Sequence, residues 1–220
     1  MAKFEFDDEG SSLVEEFNAS AGAVKRRTKI LEALALNSGD RVLDVGSGPG
    51  NQAFEMSQFV GTAGRIDGVD ATESAIEIAR YRCSELDNVR FQLGDASNLP
   101  FNDACMDVVM SSQVFEYLDN VTGALAEIYR VLKPGGRVLI HDTDWGTVLW
   151  HPSSTGAILV KAISGYVVIQ GISQSEADAW SDDLCALGTS GDYFSSWNEY
   201  MFTADKTVAS NIPSGRLRTK

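Results

Sequence analysis

Between residues 21 and 142 the apolar positions switch repeatedly between helical and extended spacing. The switches predict an alternation of helices and strands. Ala21 to Leu36 places Val24, Ile30, Leu31, Leu34 and Ala35 on one helical face, and Asn37-Ser38-Gly39-Asp40 turns the chain out of it. Val42-Leu43-Asp44-Val45 reads as a short buried strand, and Asn51 to Met56 as the start of a helix. Arg65 to Asp70 predicts a second strand, Glu73 to Leu86 a helix, Val89 to Leu93 a third strand, and Met106 to Ser112 a fourth with an apolar centre. Asn120 to Leu132 predicts an amphipathic helix with Val121, Leu125, Ile128, Tyr129 and Leu132 inward. Lys133-Pro134-Gly135-Gly136 stops it, and Arg137 to Asp142 is the fifth strand. This alternation predicts a single doubly wound α/β domain with a mostly parallel sheet.

Between the first strand and its helix lie Gly46, Gly48 and Gly50. Glycines there allow unusual backbone angles and let a ligand lie against bare backbone. A dinucleotide-binding turn, G-x-G-x-x-G, would need its third glycine where Asn51 stands, and no G-x-x-x-x-G-K-[ST] loop occurs. Asp44, just before the turn, would repel a phosphate and suit a cation. The alternative is a tight strand–helix turn with no ligand.

More polar groups follow the other strands. Asp70 ends the second strand 20 residues after Gly50. A carboxylate there can accept from both hydroxyls of a ribose diol. It can also be a helix-cap acid, although Thr72 is better placed for that role. Gly94-Asp95-Ala96 follows the third strand, where Asp95 meets a ligand or closes an Asx-turn. His141, Asp142, Asp144, Trp145 and Trp150 cluster after the fifth strand, at the edge where open α/β sheets bind ligands. One of these acids can equally cap a turn, and His141 can be a satisfied strand residue.

D-V-G-S-G-P-G at 44–50, G-D-A at 94–96 and A-E-I-Y-R-V-L-K-P-G-G-R-V-L-I at 126–140 together resemble the S-adenosylmethionine-dependent methyltransferases of the Rossmann-like class. Among these the chain is most similar to the ubiquinone/menaquinone-type and related small-molecule enzymes. The resemblance is strong from Leu31 to Asp142 and weaker at both ends. It implies S-adenosylmethionine as cofactor, held by Asp44, Gly46, Ser47, Gly48, Gly50, Asp70, Ala71, Asp95, Ala96, Ser111 and Gln113. It puts Asp70 on the ribose, Asp95 on the adenine amine, the Ala96 amide on a ring nitrogen, and Leu99 and Phe101 beside the ring. It implies methyl transfer to a small-molecule acceptor by in-line displacement. Many members carry S-S-H-V-L-E-H where this chain has S-S-Q-V-F-E-Y, so Gln113 and Tyr117 replace both histidines. His141, Asp142 and Asp144 remain as candidate catalytic bases, needed only if the nucleophile must lose a proton. Two other readings stay open: a catalytically silent relative that binds cofactor or a partner, and a nicotinamide-dependent oxidoreductase, against which the glycine spacing argues.

Composition narrows the partners. The formal net charge of −13 and the lack of basic patches argue against nucleic acid and anionic membranes. Cys83, Cys105 and Cys185 are odd in number and widely spaced, which favours a reducing cytoplasm over a disulfide framework. His141 and His151 have no zinc-ligand spacing, so no metal is expected. Met1 to Asp8 has no apolar run of the signal-peptide kind, and the apolar stretch from Ala157 to Ile169 is too short to span a bilayer.

The chain is read as one unit: a helical lid over residues 1–37, a cofactor-binding core over 38–142, and a substrate-side region over 143–220. Within the last, Gly191 to Ala204 resembles the family's seventh, antiparallel strand, and Ser173 with Glu176 forms a capping box. Gly165 to Gly171 is either the sixth strand or a helical insertion. The shortened version, lacking a sixth strand, is favoured. It would leave the last strand as an edge open to pairing with a second copy, giving a homodimer.

Overall fold

The computed structural model describes residues 18–149 and 196–207. Among the described residues four helices, α1 (Ala21–Leu34), α2 (Asn51–Val60), α3 (Glu73–Arg82) and α4 (Val121–Val131), accompany six strands. These are β1 (Arg41–Val45), β2 (Arg65–Asp70), β3 (Val89–Leu93), β4 (Met106–Ser112), β5 (Leu132–Leu149) and β6 (Ser196–Asp205). A short 3-10 helix spans Phe115–Tyr117. The sheet runs β3-β2-β1-β4-β5-β6. Strands β1 to β5 are parallel and β6 is antiparallel to β5. The α/β architecture expected from the alternating pattern is therefore present. The strand order reverses between β1 and β4, and open α/β sheets bind ligands at the carboxyl ends of strands around such a reversal.

One apolar cluster joins Ile30 and Leu34 of α1, Met56 of α2 and Ile76 of α3 to Val42, Ile66, Phe91, Met110 and Leu139 of the sheet. The other joins Ala124, Ile128 and Val131 of α4 to Leu43, Val45, Val69 and Val109. Alternate residues of β1, β2 and β4 feed the two clusters, as expected of strands covered on both faces. The C-terminal end of α1 is tied to the sheet. Arg137 donates to the carbonyls of Leu34 (2.7 Å) and Ala35 (2.8 Å) and pairs with Asp40.

Two helical faces are rotated from the expected stripes. Helix α4 buries Ala124, Ile128 and Val131, while Val121, Leu125 and Tyr129 are exposed. Helix α1 buries Ala23, Ile30 and Leu34 and exposes Val24. In both, a small alanine is among the buried positions. Tyr129 instead lies under Lys206 Nζ, 4.3 Å from its ring centre. Helix α3 ends at Arg82 rather than at Leu86, whose amide donates to Cys83 in a tighter turn.

The largest departure is β5, expected over Arg137 to Asp142 and observed over Leu132–Leu149. Its early part pairs through Leu132 with Met106, and Gly135 and Gly136 exchange backbone bonds with Lys206. Its late part continues against β6, with Asp144 opposite Asn198. The expected last strand is present and ends the sheet among the described residues. Residues 165–171, the capping box at 173 and 176, and Trp150 lie outside the described residues.

Candidate active site

The site is built from the glycine turn upward. Gly46 (φ 74°) and Gly48 (φ 50°) both take left-handed backbone angles. A Cβ on Gly46 would lie 2.1 Å from Val114 Cγ2, so the turn lies directly against the loop after β4. A Cβ on Gly48 would meet nothing within 4 Å, so its backbone faces open space. The Gly48 amide donates to Asp70 Oδ2 (2.8 Å), and the Thr72 amide donates to Asp70 Oδ1 (2.9 Å). Asp70 thus joins the glycine turn to the start of α3. The expectation that Thr72 would do the capping is corrected: its side chain makes no capping bond at the N-cap position. Asp70 keeps acceptor capacity, since an ionised carboxylate offers about four lone-pair sites.

Asp44 is buried, and its carboxyl is pushed up to about 8, first by burial and then by the neighbouring Asp70 charge. Its Oδ2 has no hydrogen-bond partner, and neither do the buried hydroxyls of Ser47 and Ser111. Asp44 pairs with Met110 and Val45 with Ser111, so these groups lie toward the carboxyl ends of β1 and β4, with Asp44 and Ser111 on opposite faces of the sheet. A buried polar group left unpaired costs about 1–3 kcal/mol, so three near the ends of β1 and β4 call for a partner. Two acids and two hydroxyls, beside a Gly48 whose Cα faces open space, suit a cation that carries hydroxyls, and a phosphate poorly. The donor set therefore fits S-adenosylmethionine, with its sulfonium, ammonium and ribose.

The Asp44 shift has a testable sign. The unfolded chain loses this proton near the ordinary value of 3.8, and the folded chain keeps it to about 8. Across that window the native state binds more protons, so this group makes stability fall as pH rises. Asp44→Asn should flatten the fall in unfolding free energy measured by denaturant titration between about pH 5 and pH 8. Equal slopes in both proteins would remove the assignment.

After β3, Asp95 Oδ1 accepts from the Ser97 amide (2.7 Å) and hydroxyl (2.8 Å), so the Asx-turn forms. Ala96 and Leu99 are buried beneath it. Two residues of α4 that carry no site expectation from the sequence hold this loop. Glu127 accepts from the Leu99 amide (2.8 Å), and Arg130 donates to the carbonyls of Phe101 (2.7 Å) and Leu99 (3.0 Å). Hydrogen bonding to Arg130 holds the Glu127 carboxyl below its ordinary range. Their spacing, i and i+3, is the one signal that could have marked them. Glu127→Ala removes a charged acceptor, so amide exchange at Leu99 should quicken about tenfold or more, with α4 still folded. Unchanged exchange would show that the loop stands without this bond.

After β4, Gln113 adopts φ 60°, and its amide donates to the His141 carbonyl (2.8 Å). Its side chain pairs with the Thr143 hydroxyl (2.7 Å). The Val114 amide donates to Asp142 Oδ1 (2.9 Å), and burial raises the Asp142 carboxyl above the ordinary range. His141 is 2% exposed, with Nδ1 3.1 Å from Ser112 Oγ and Nε2 3.5 Å from Glu199 Oε2.

The expectation that His141, Asp142 and Asp144 cluster beyond the strand end is corrected. Strand β5 runs on to Leu149, so His141 and Asp142 are successive strand residues facing opposite sides of the sheet. Only the backbone of Asp144 is described, paired with Asn198. By contrast Asp44, Gly46, Ser47, Gly48, Gly50, Asp70, Ala71, Asp95, Ala96, Ser111 and Gln113 all stand at or just past the carboxyl ends of β1 to β4. Among the described residues no group of three or more His, Cys, Asp or Glu is placed to hold a metal ion.

The methyltransferase domain family matches residues 36–187. The chain belongs to that family. It is 32% identical over 122 residues to the demethylmenaquinone methyltransferase of Staphylococcus epidermidis, a match covering 56% of this chain and 51% of that protein. It is 32% identical over 137 residues to an uncharacterized 37.1 kDa protein in transposon TN4556 of Streptomyces fradiae, covering 62% of this chain and 40% of that protein. The chain thus spans about half the length, or less, of these curated relatives. Among solved structures it is similar to a SAM dependent methyltransferase from Aquifex aeolicus, with a TM-score of 0.56 and 26% identity over 64% of this chain and 74% of that one.

Proposed function

We propose that this methyltransferase-family chain transfers a methyl group from S-adenosylmethionine to a small-molecule acceptor. The observation that carries the reading is the set of unpaired polar atoms at the ends of β1 and β4, Asp44 Oδ2 and the Ser47 and Ser111 hydroxyls, together with the open space over Gly48. Asp70 would hold the ribose, Asp95 and the Ala96 amide the adenine, and Asp44 the cationic methionine end. When bound, the cofactor supplies a methyl group already activated on sulfur. The chain's own work is then orientation and exclusion of water. Orientation of this kind can lower a barrier by about 7–11 kcal/mol.

The relative named a demethylmenaquinone methyltransferase supports a small organic acceptor. The net charge of −13 supports the absence of nucleic-acid partners. Among the described residues no helix is long and apolar enough to cross a membrane. The cysteine spacing supports a cytoplasmic location. Strand β6, last in the sheet among the described residues, is the edge through which a second copy would pair. The substrate-side role of residues 143–220 and the lid role of residues 1–37 belong to the same proposal.

The reading is tested by incubating the protein with a metabolite extract and cofactor labelled on the methyl group. Mass spectrometry should find the label in one acceptor with wild-type protein and not with Asp70→Ala. Cofactor binding without any labelled product would favour the silent-relative reading.

A further inference from the structure

Three polar side chains from three neighbouring strands line up beneath α1, and the glycine-turn site uses none of them. Ser112 ends β4, His141 is the residue paired with it on β5, and Glu199 lies on β6 opposite Thr143. Ser112 Oγ is 3.1 Å from His141 Nδ1, and His141 Nε2 is 3.5 Å from Glu199 Oε2. Glu199 Oε1 meets Arg26 of α1 at 3.1 Å. The order is therefore hydroxyl, imidazole, carboxylate, guanidinium.

The carboxylate faces the Nε2 side of the ring. His141 Nε2 makes no hydrogen bond, and Glu199, which can only accept, is 3.5 Å away; a proton on Nε2 faces that carboxylate and leaves Nδ1 to accept from the Ser112 hydroxyl. A ring that takes a second proton at Nδ1 holds its Nε2–H 3.5 Å from the Glu199 carboxylate. The other charged groups around the ring are Arg26, reached through Glu199, and Asp142, next on β5, whose carboxyl feels the ring's charge. Strand β4 contributes only the neutral Ser112.

Ser112 is also at the right end of the sheet. Its neighbour Ser111 pairs with Val45, and two residues beyond Ser112, Val114 touches the glycine turn. A nucleophilic serine is excluded on geometry: the Gln113 amide beside it, the natural oxyanion donor, is already bonded to the His141 carbonyl at 2.8 Å.

We infer that Ser112, His141 and Glu199 form a proton relay serving the acceptor, and that the acceptor is methylated at a hydroxyl that must give up its proton. The inference rests on the methyl-transfer reading. In the step, the acceptor's O–H proton passes to Ser112 Oγ while the Ser112 hydroxyl hydrogen passes to His141 Nδ1. The acceptor oxygen's electron pair forms the bond to the methyl carbon. The C–S bond breaks with its pair on sulfur, and one proton rests on the imidazole facing Glu199. Ser112 is the catalytic residue, and His141 and Glu199 act through it.

The first test needs no turnover. The chain has two histidines, so nitrogen-15 NMR of the ligand-free protein, assigned with His151→Gln, reads the ring of His141 directly. The relay requires the neutral ring in its Nε2–H form. A ring protonated at Nδ1 overturns it. The second test follows methyl transfer from S-adenosylmethionine to 1,4-naphthoquinol as the hydroxyl probe. Ser112→Ala and His141→Gln should each lower kcat about 10²–10⁴-fold, with S-adenosylhomocysteine affinity unchanged. Glu199→Gln should move the acid limb of the kcat–pH profile, which a purely structural role would leave in place. If His141→Gln fails to fold, the Glu199→Gln profile carries the same prediction. Unaltered kcat in His141→Gln, or no ether product from wild-type protein that binds the cofactor, overturns the inference. Failure of the wild type to bind S-adenosylhomocysteine at all would instead overturn the methyl-transfer reading.

Discussion

Gly46→Ala is expected to be the most destabilising substitution at the site. The position needs φ 74°, and an added Cβ would stand 2.1 Å from Val114 Cγ2. The left-handed backbone costs a residue with a Cβ about 1–2 kcal/mol. Overpacking adds about 1–3 kcal/mol, because the glycine turn and the loop after β4 must separate. The two terms can be parted. Val114→Ala in the Gly46→Ala background removes the overlap and leaves the backbone strain, so the double variant should regain part of the loss. Denaturant unfolding of all four proteins gives the coupling. Purely additive losses would mean that Gly46 and Val114 do not touch.

Asp70→Ala is expected to lose the largest share of cofactor affinity. A carboxylate bonded to ribose hydroxyls contributes about 1.5–3 kcal/mol, so affinity should fall from about tenfold to more than a hundredfold. The substitution also strips acceptors from the amides of Gly48 and Thr72, so the turn itself is loosened. Asp70→Asn separates the effects, since the amide oxygen keeps one acceptor and the negative charge is lost. Calorimetry with S-adenosylhomocysteine on folded variants reads both. Unchanged affinity in Asp70→Ala would remove Asp70 from the ribose.

What could be read from the sequence was what is local. Strands β1 to β4 match their expected spans to within a residue, because each is a short apolar run closed by glycine or a polar turn. The strand-end residues Asp70, Asp95 and Ser111 followed from that register. The helix faces did not, because Ala23 and Ala124 carry little hydrophobic signal yet are buried. The length of β5 was hidden too, since its ends are set by Met106 and β6, far away in sequence. The same holds for the site. The glycine turn declares itself in seven consecutive residues, 44–50. Glu127 and Arg130 look like an ordinary solvated helix face until the loop from Leu99 to Phe101 is seen bonded to them. Ser112, His141 and Glu199 come together only through strand pairing.

The central claim is that the glycine turn of this chain holds S-adenosylmethionine. Calorimetric titration of the full chain with S-adenosylhomocysteine, and separately with NADH, tests it most directly. The expected result is one S-adenosylhomocysteine site per chain, release of a proton at neutral pH as Asp44 ionises against the bound cation, and no heat with NADH. Binding of NADH without binding of S-adenosylhomocysteine would contradict it.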